Sequence, residues 1–154
     1  MLPYGARKRC MMKEDTVKLL KAVESGCYMA VNSFKQFEEY ELKEDLTALF
    51  EQYKDKHLEI QRQATDLLCK YSDGETKHNN FSAAMSLLST EMKMLMNNTS
   101  AQAAKLMMDG CNMGIQTVSE NLSKYGGADK EADDLAKRLI AMEEEFMSKL
   151  KLFL

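Results

Sequence analysis

Leu46, Phe50, Tyr53, His57, Ile60, Ala64, Leu67 and Tyr71 recur at intervals of 4, 3, 4, 3, 4, 3 and 4 residues. Alternating steps of three and four keep side chains on one face of an α-helix, whereas a strand demands steps of two. A stripe this long must be covered, and the chain supplies partners of the same kind. Leu20, Val23, Cys27, Ala30, Phe34 and Phe37 form one; Phe81, Met85, Leu88, Met92 and Leu95 a shorter one. Met108, Cys111, Ile115, Val118, Leu122 and Tyr125 form the next, and Leu135, Leu139, Met142, Phe146, Leu150 and Phe153 the last. Helices are therefore expected over about 13–40, 42–71, 81–96, 101–125 and 129–153. One proline and seven glycines leave too little turn material for an all-β chain, which supports the all-α reading. The polar stretch 72–80 ends the second helix, Thr99 or Ser100 caps the fourth, Gly126 and Gly127 stop it, and Asp129 caps the fifth. Residues 1–12 are expected to form a flexible N-terminal segment and 13–154 a single domain. That domain reads as an antiparallel four-helix bundle of two helical hairpins, with the short extra helix in the connection.

The two halves resemble each other. KAVESGCYMAVNSF (21–34) aligns with KLMMDGCNMGIQTV (105–118), which sets Lys21, Gly26, Cys27 and Met29 on Lys105, Gly110, Cys111 and Met113. DLTALF (45–50) aligns likewise with DLAKRL (134–139). Glycine inside a helix costs about 1 kcal/mol relative to alanine, so a glycine matched in two helices asks for a reason. Close backbone approach between the first and fourth helices is the expected one, with Cys27 and Cys111 as small seam neighbours. A thiol site formed by Cys27 and Cys111 is the alternative.

Chemistry is sparser than architecture. The four cysteines include no C-x-x-C pair, so metal and redox spacings are absent. Cys27, Cys69 and Cys111 are expected as small buried apolar residues, reduced in a cytoplasmic protein. The start, MLPYGARKRCMMKED, lacks the apolar run of a signal peptide, and no apolar run reaches the ~18 residues of a membrane span. A net charge of −3 gives no general attraction to phosphate backbones, so neither nucleic acid nor membrane is an expected partner. No glycine-rich phosphate cradle occurs, and two histidines offer no recognisable nucleophilic arrangement. His78 falls in the polar loop. Catalysis is thus less expected than binding.

A duplicated helical hairpin invites one specific test. Ferritin-like di-iron sites take a Glu from each of two helices and Glu-x-x-His from each of the other two. Glu24, His57, Asp109 and Glu143 stand at corresponding places, but Lys54 precedes His57 by three and Phe146 follows Glu143 by three. Each hairpin keeps half of Glu-x-x-His. The di-iron site is therefore degenerate, and at most these four residues hold one metal ion weakly; no other cofactor is expected. His57 otherwise reads as a core imidazole hydrogen-bonded to a neighbouring helix, with Glu24 as its candidate partner. The run Glu143 to Glu145 reads as a solvated face, Met85 and Met92 as core, and Met94 and Met96 as a bundle end or subunit contact.

NTSAQAAKLMMDGCNMGIQTVSENL (98–122), ADKEADDLAKRLIAMEEEFMSKLKLFL (128–154) and LLKAVESGCYMAVNSF (19–34) give the chain its resemblance to a known group. It is similar to uncharacterised ferritin-like helical-bundle proteins of bacteria, particularly short clostridial-type ones. The resemblance implies a ferritin-like bundle, often oligomeric, here expected as a homodimer, and implies no assigned activity. The departures at Lys54 and Phe146 count against oxidase, iron-storage and peroxide-reducing roles. A non-catalytic binding or structural module is the leading expectation. Metal binding by Glu24, His57, Asp109 and Glu143 is the first alternative, and a thiol-dependent role of Cys27 and Cys111 the second.

Overall fold

The structure is a computed structural model that describes residues 1–71 and 100–154. Four α-helices make up nearly all of these: α1 (Tyr4–Phe37), α2 (Glu44–Tyr71), α3 (Ser100–Lys124) and α4 (Lys130–Leu150), followed by a 3-10 turn over Lys151–Phe153. There is no strand among the described residues. The helix expected over 81–96, with Met85, Met92, Met94 and Met96, lies outside them, as does His78.

Helix ends follow local chemistry. α1 begins at Tyr4 rather than near Lys13, with Pro3 at its N-cap position. Ala6, Arg7, Lys8, Arg9, Met11 and Met12 are all good helix formers. Residues 1–12 are thus mostly helical where a flexible segment was expected. They show no apolar stripe because Thr16 is the first buried residue of the helix. Glu44 and Asp45 place negative charge at the start of α2, where the helix dipole favours it. Asp129 caps α4 as expected, its Oδ1 accepting the Lys130 N–H at 2.8 Å. Ser100 is already helical, and its hydroxyl accepts the Lys43 N–H at 2.8 Å, which ties the start of α3 to the start of α2.

Pairings across the seams give the directions. Glu38 meets Lys54, Phe34 meets His57, and Glu24 meets Gln61, so α1 and α2 are antiparallel. Tyr53 meets Phe146, His57 meets Glu143, and Gln63 meets Arg138, so α2 and α4 are antiparallel too. The short turn after Lys124 folds α4 back along α3. Hence α2 and α3 point the same way. Tyr71 closes α2 beside Asp129 at one end of the bundle, while Ser100 opens α3 at the other.

The core differs along its length. One end is aromatic: Phe34 packs on Phe50 and Phe146 with ring centroids 5.6 Å apart in each pair, and Tyr53 stacks on Phe146 at 4.3 Å. The opposite end is polar and tied: the Tyr71 hydroxyl donates to Asp129, and the Asp129 N–H donates to Thr16 Oγ1 at 2.8 Å. The stripe of α2 is buried from Leu46 to Ala64 and then passes to Leu68, with Leu67 only partly buried, because 3.6 residues per turn drift against a strict 3-4 alternation. On α3 the buried set includes Ala103, Ala104 and Met107, with Met108 half-buried. Cys27 and Cys111 are buried as expected, but Cys69 is exposed, because it follows Leu68 on the outward side of α2.

Candidate ligand-binding site

The middle of the bundle holds a buried imidazole and a buried carboxyl. His57 is fully enclosed and Glu143 is 3% exposed. His57 Nδ1 lies 2.7 Å from the carbonyl oxygen of Tyr53, one turn back on α2. A carbonyl only accepts, so Nδ1 carries a proton and donates it. His57 Nε2 then faces Glu143 Oε1 at 3.5 Å. The partner expected for His57 was Glu24; that carboxylate instead accepts from Gln61 Nε2 at 3.1 Å. The run Glu143 to Glu145 is also split, since Glu144 and Glu145 are exposed while Glu143 turns into the core.

Burial pushes the Glu143 carboxyl above its usual range, and the facing His57 partly offsets this. Two arrangements keep the pair electrically neutral: a neutral imidazole accepting from Glu143–OH, or an imidazolium donating to Glu143 carboxylate. In both, the proton lies between Nε2 and Oε1, and Oε2 is left purely as an acceptor. Glu143 Oε2 is buried and has no hydrogen-bond partner among the described residues. An acceptor in that state costs roughly 1–3 kcal/mol.

Gly114 of α3 explains how the carboxyl fits. A Cβ built there would stand 2.9 Å from both Glu143 oxygens and 3.2 Å from the carboxyl carbon. Beside it opens a cavity of about 450 Å³ between α1 and α3, with His57 and Glu143 lining it from α2 and α4. Ala22, Gly26 and Ala30 line it from α1, and Gly110, Cys111 and Gly114 from α3. Met29, Met107 and Met113 add polarisable, adaptable surface, and Met113 is exposed.

Gly26 and Gly110 therefore do something other than expected. Among the described residues, a Cβ at Gly110 would meet nothing within 4 Å, and one at Gly26 would make only an ordinary contact with Leu139 at 3.9 Å. Neither glycine is demanded by close approach of another described helix. Both border the cavity, so the matched segments of the two halves bring Gly26, Met29, Gly110 and Met113 to one space. Gly114, Ser33, Thr117 and Asn121 complete it and were not singled out from the sequence. Gly114 lies four residues from Gly110 and shares its helix face, which was the signal available for it.

The metal quartet is not assembled. His57 and Glu143 meet, but Glu24 bonds Gln61, and Asp109 is exposed. Among the described residues, no group of three or more His, Cys, Asp or Glu could hold a metal ion. Lys54, where a ligand is needed, bonds Glu38 and Glu51 at 2.7 and 2.9 Å, and Phe146 stacks on Tyr53. These residues do not fit a di-iron centre. The thiols of Cys27 and Cys111 are both pushed well up, first by burial and then by the nearby Glu143. Thiolate, the nucleophilic and metal-binding form, is thus disfavoured.

A second depression of about 560 Å³ lies open between α2 and α4, rimmed by Asp55, Lys56, Glu59, Arg138 and Glu145. It is shallow, and Lys56 and Glu145 already pair across it at 3.7 Å. The cavity at Glu143 is the better site because it is walled by apolar groups and presents an unsatisfied buried atom. Set against protein-family models, curated proteins and solved structures, the chain gives no match in any of the three comparisons. No helix among the described residues is long and apolar enough to cross a membrane.

Proposed function

We propose that the protein is a non-catalytic binding module that holds a small, mainly apolar molecule in the cavity between α1 and α3. The observation that carries this reading is the pair of glycines at the cavity wall. Each sacrifices helix stability of about 1 kcal/mol relative to alanine, and neither is required by a neighbour's approach among the described residues. Space for a ligand accounts for that loss. The buried, neutral thiols and the dispersed carboxylates favour binding over thiol or metal chemistry.

The bundle is read as ferritin-like because α2 and α3 share a direction, the order found in bundles with one long crossover. An internal duplication fits the shared placement of Gly26 and Gly110. A homodimer is the proposed assembly, supported by Tyr4, Met11 and Met12, which are exposed on the first turns of α1. A cytoplasmic setting accords with four free cysteines.

Titration with N-phenyl-1-naphthylamine, whose fluorescence rises in apolar surroundings, tests the binding reading. Saturable binding near one probe per chain is expected, and Gly110→Phe, which fills the cavity, is expected to abolish it while the helical circular dichroism persists. Absence of saturable binding, or undiminished binding by a folded Gly110→Phe variant, overturns the reading.

A further inference from the structure

We infer that the cavity selects ligands whose apolar body ends in a hydrogen-bond donor, an alcohol or an amine, received by Glu143 Oε2. This rests on the reading of the cavity as a ligand site and adds to it the chemistry of the head group. Glu143 lines the cavity, and its Oε2 is buried with no hydrogen-bond partner among the described residues. Its need does not depend on where the shared proton sits. With Nδ1 of His57 committed to the Tyr53 carbonyl, either neutral form of the pair spends its proton between Nε2 and Oε1. Oε2 accepts in both. A ligand ending in an ester or a ketone brings a second acceptor and leaves Oε2 unsatisfied; a carboxylate brings an uncompensated charge and no donor.

The surroundings favour one donor on an otherwise apolar molecule. Alanine, glycine and methionine line much of the remaining wall, and among the described residues the side chains of Ser33, Thr117 and Asn121 are its polar components beyond the His57–Glu143 pair. Two of these are already engaged: Ser33 Oγ donates to the Met29 carbonyl at 3.0 Å, and Asn121 Nδ2 donates to the Thr117 carbonyl at 2.8 Å. Gly114 lets the carboxyl lie close against α3, where any side chain would displace it. An alcohol head leaves the proton of the His57–Glu143 pair in place. An ammonium head brings its own charge, and neutrality is restored when the pair releases its proton to solvent.

Displacement of bound N-phenyl-1-naphthylamine by 1-octanol, octylamine, methyl octanoate and octanoate tests the inference. At equal chain length, the alcohol or the amine is expected to bind at least about tenfold more tightly than the ester, the scale of leaving one buried acceptor unpaired. Octanoate is expected to be weakest. Glu143→Met is expected to erase the preference while retaining the probe. Glu143→Gln is expected to keep the preference for octanol, since its amide N–H2 donates to neutral His57 and its oxygen replaces Oε2. Calorimetry in buffers of different ionisation enthalpy separates the two head groups: proton release marks ammonium, and none marks alcohol. Equal binding of ester and alcohol, a preference that survives Glu143→Met, or failure of all four to displace a bound probe overturns the inference and leaves the cavity reading standing. Loss of probe binding by the native chain overturns the cavity reading itself.

Discussion

Gly110→Ala and Gly114→Ala make the same change four residues apart on the same helix, and the first is expected to stabilise the fold where the second does not. At Gly110 the added methyl meets nothing within 4 Å among the described residues, so backbone terms dominate. Helix propensity favours alanine by about 1 kcal/mol, and the unfolded chain loses freedom in the same sense. For a chain of this length that gain raises the melting temperature by roughly 2–4 °C. At Gly114 the methyl would sit 2.9 Å from both oxygens of Glu143, inside contact distance. The carboxyl must leave its place beside His57, and crowding of this kind costs about 1–3 kcal/mol. The propensity gain is cancelled or reversed, and the two variants should differ by about 1–3 kcal/mol. Urea unfolding followed by circular dichroism measures both. Repeating Gly114→Ala in a Glu143→Ala background removes the obstructing carboxyl, and the gain of about 1 kcal/mol should return. If Gly110→Ala destabilises as much as Gly114→Ala does, the glycines serve contact between helices and the account of the cavity is wrong. If the Glu143→Ala background makes no difference, the obstruction at Gly114 has been misidentified.

Two further outcomes follow from the same site. Because Glu143 is held above its unfolded value near 4.5, the folded chain binds its proton more tightly, and that contribution is full below the unfolded pKa and lost as pH rises through the folded one. The stability of the native chain relative to Glu143→Gln should therefore fall from about pH 4.5 upward in urea unfolding; a flat or rising difference contradicts the assignment. Cys10 and Cys69 are exposed whereas Cys27 and Cys111 are buried with raised thiols. A charged disulfide reagent should label the first two rapidly and the others only on unfolding, and rapid labelling of Cys27 or Cys111 in the folded state would revive the thiol reading.

The stripes of Leu46 to Ala64 and of Leu135 to Leu150 were legible in the sequence because large apolar side chains announce a helix face. The inner face of α3 was harder to read: Ala103 and Ala104 are fully buried, yet alanine carries little periodic signal. Glu143 was visible as a candidate, but its acidic neighbours argued for solvent, and only the packing of α3 shows one member of the run turned inward. A glycine matched in two helices has two opposite explanations, a neighbour that is too close or a neighbour that is absent. Sequence spacing contains no distance between helices, so it could not choose between them. The same limit hid the His57–Glu143 pairing, which depends on how α2 and α4 meet.

α1 is continuous from Tyr4 to Phe37, but its environment changes along the way. From Tyr4 to Glu14 every residue except Ala6 is exposed, and burial starts at Thr16, where the Asp129 backbone is bound. The exposed portion rises about 16 Å and, among the described residues, has only its own hydrogen bonds to hold it. Helices of about 12 residues or fewer are marginal alone, so the amide protons of this portion exchange with solvent by fraying from the end. Beyond Thr16 the amides on the buried face open only when α2, α3 and α4 let go. What the backbone draws as one rod is thus two cooperative units, with their border at the polar tie between Thr16 and Asp129 and no break in the helix to mark it.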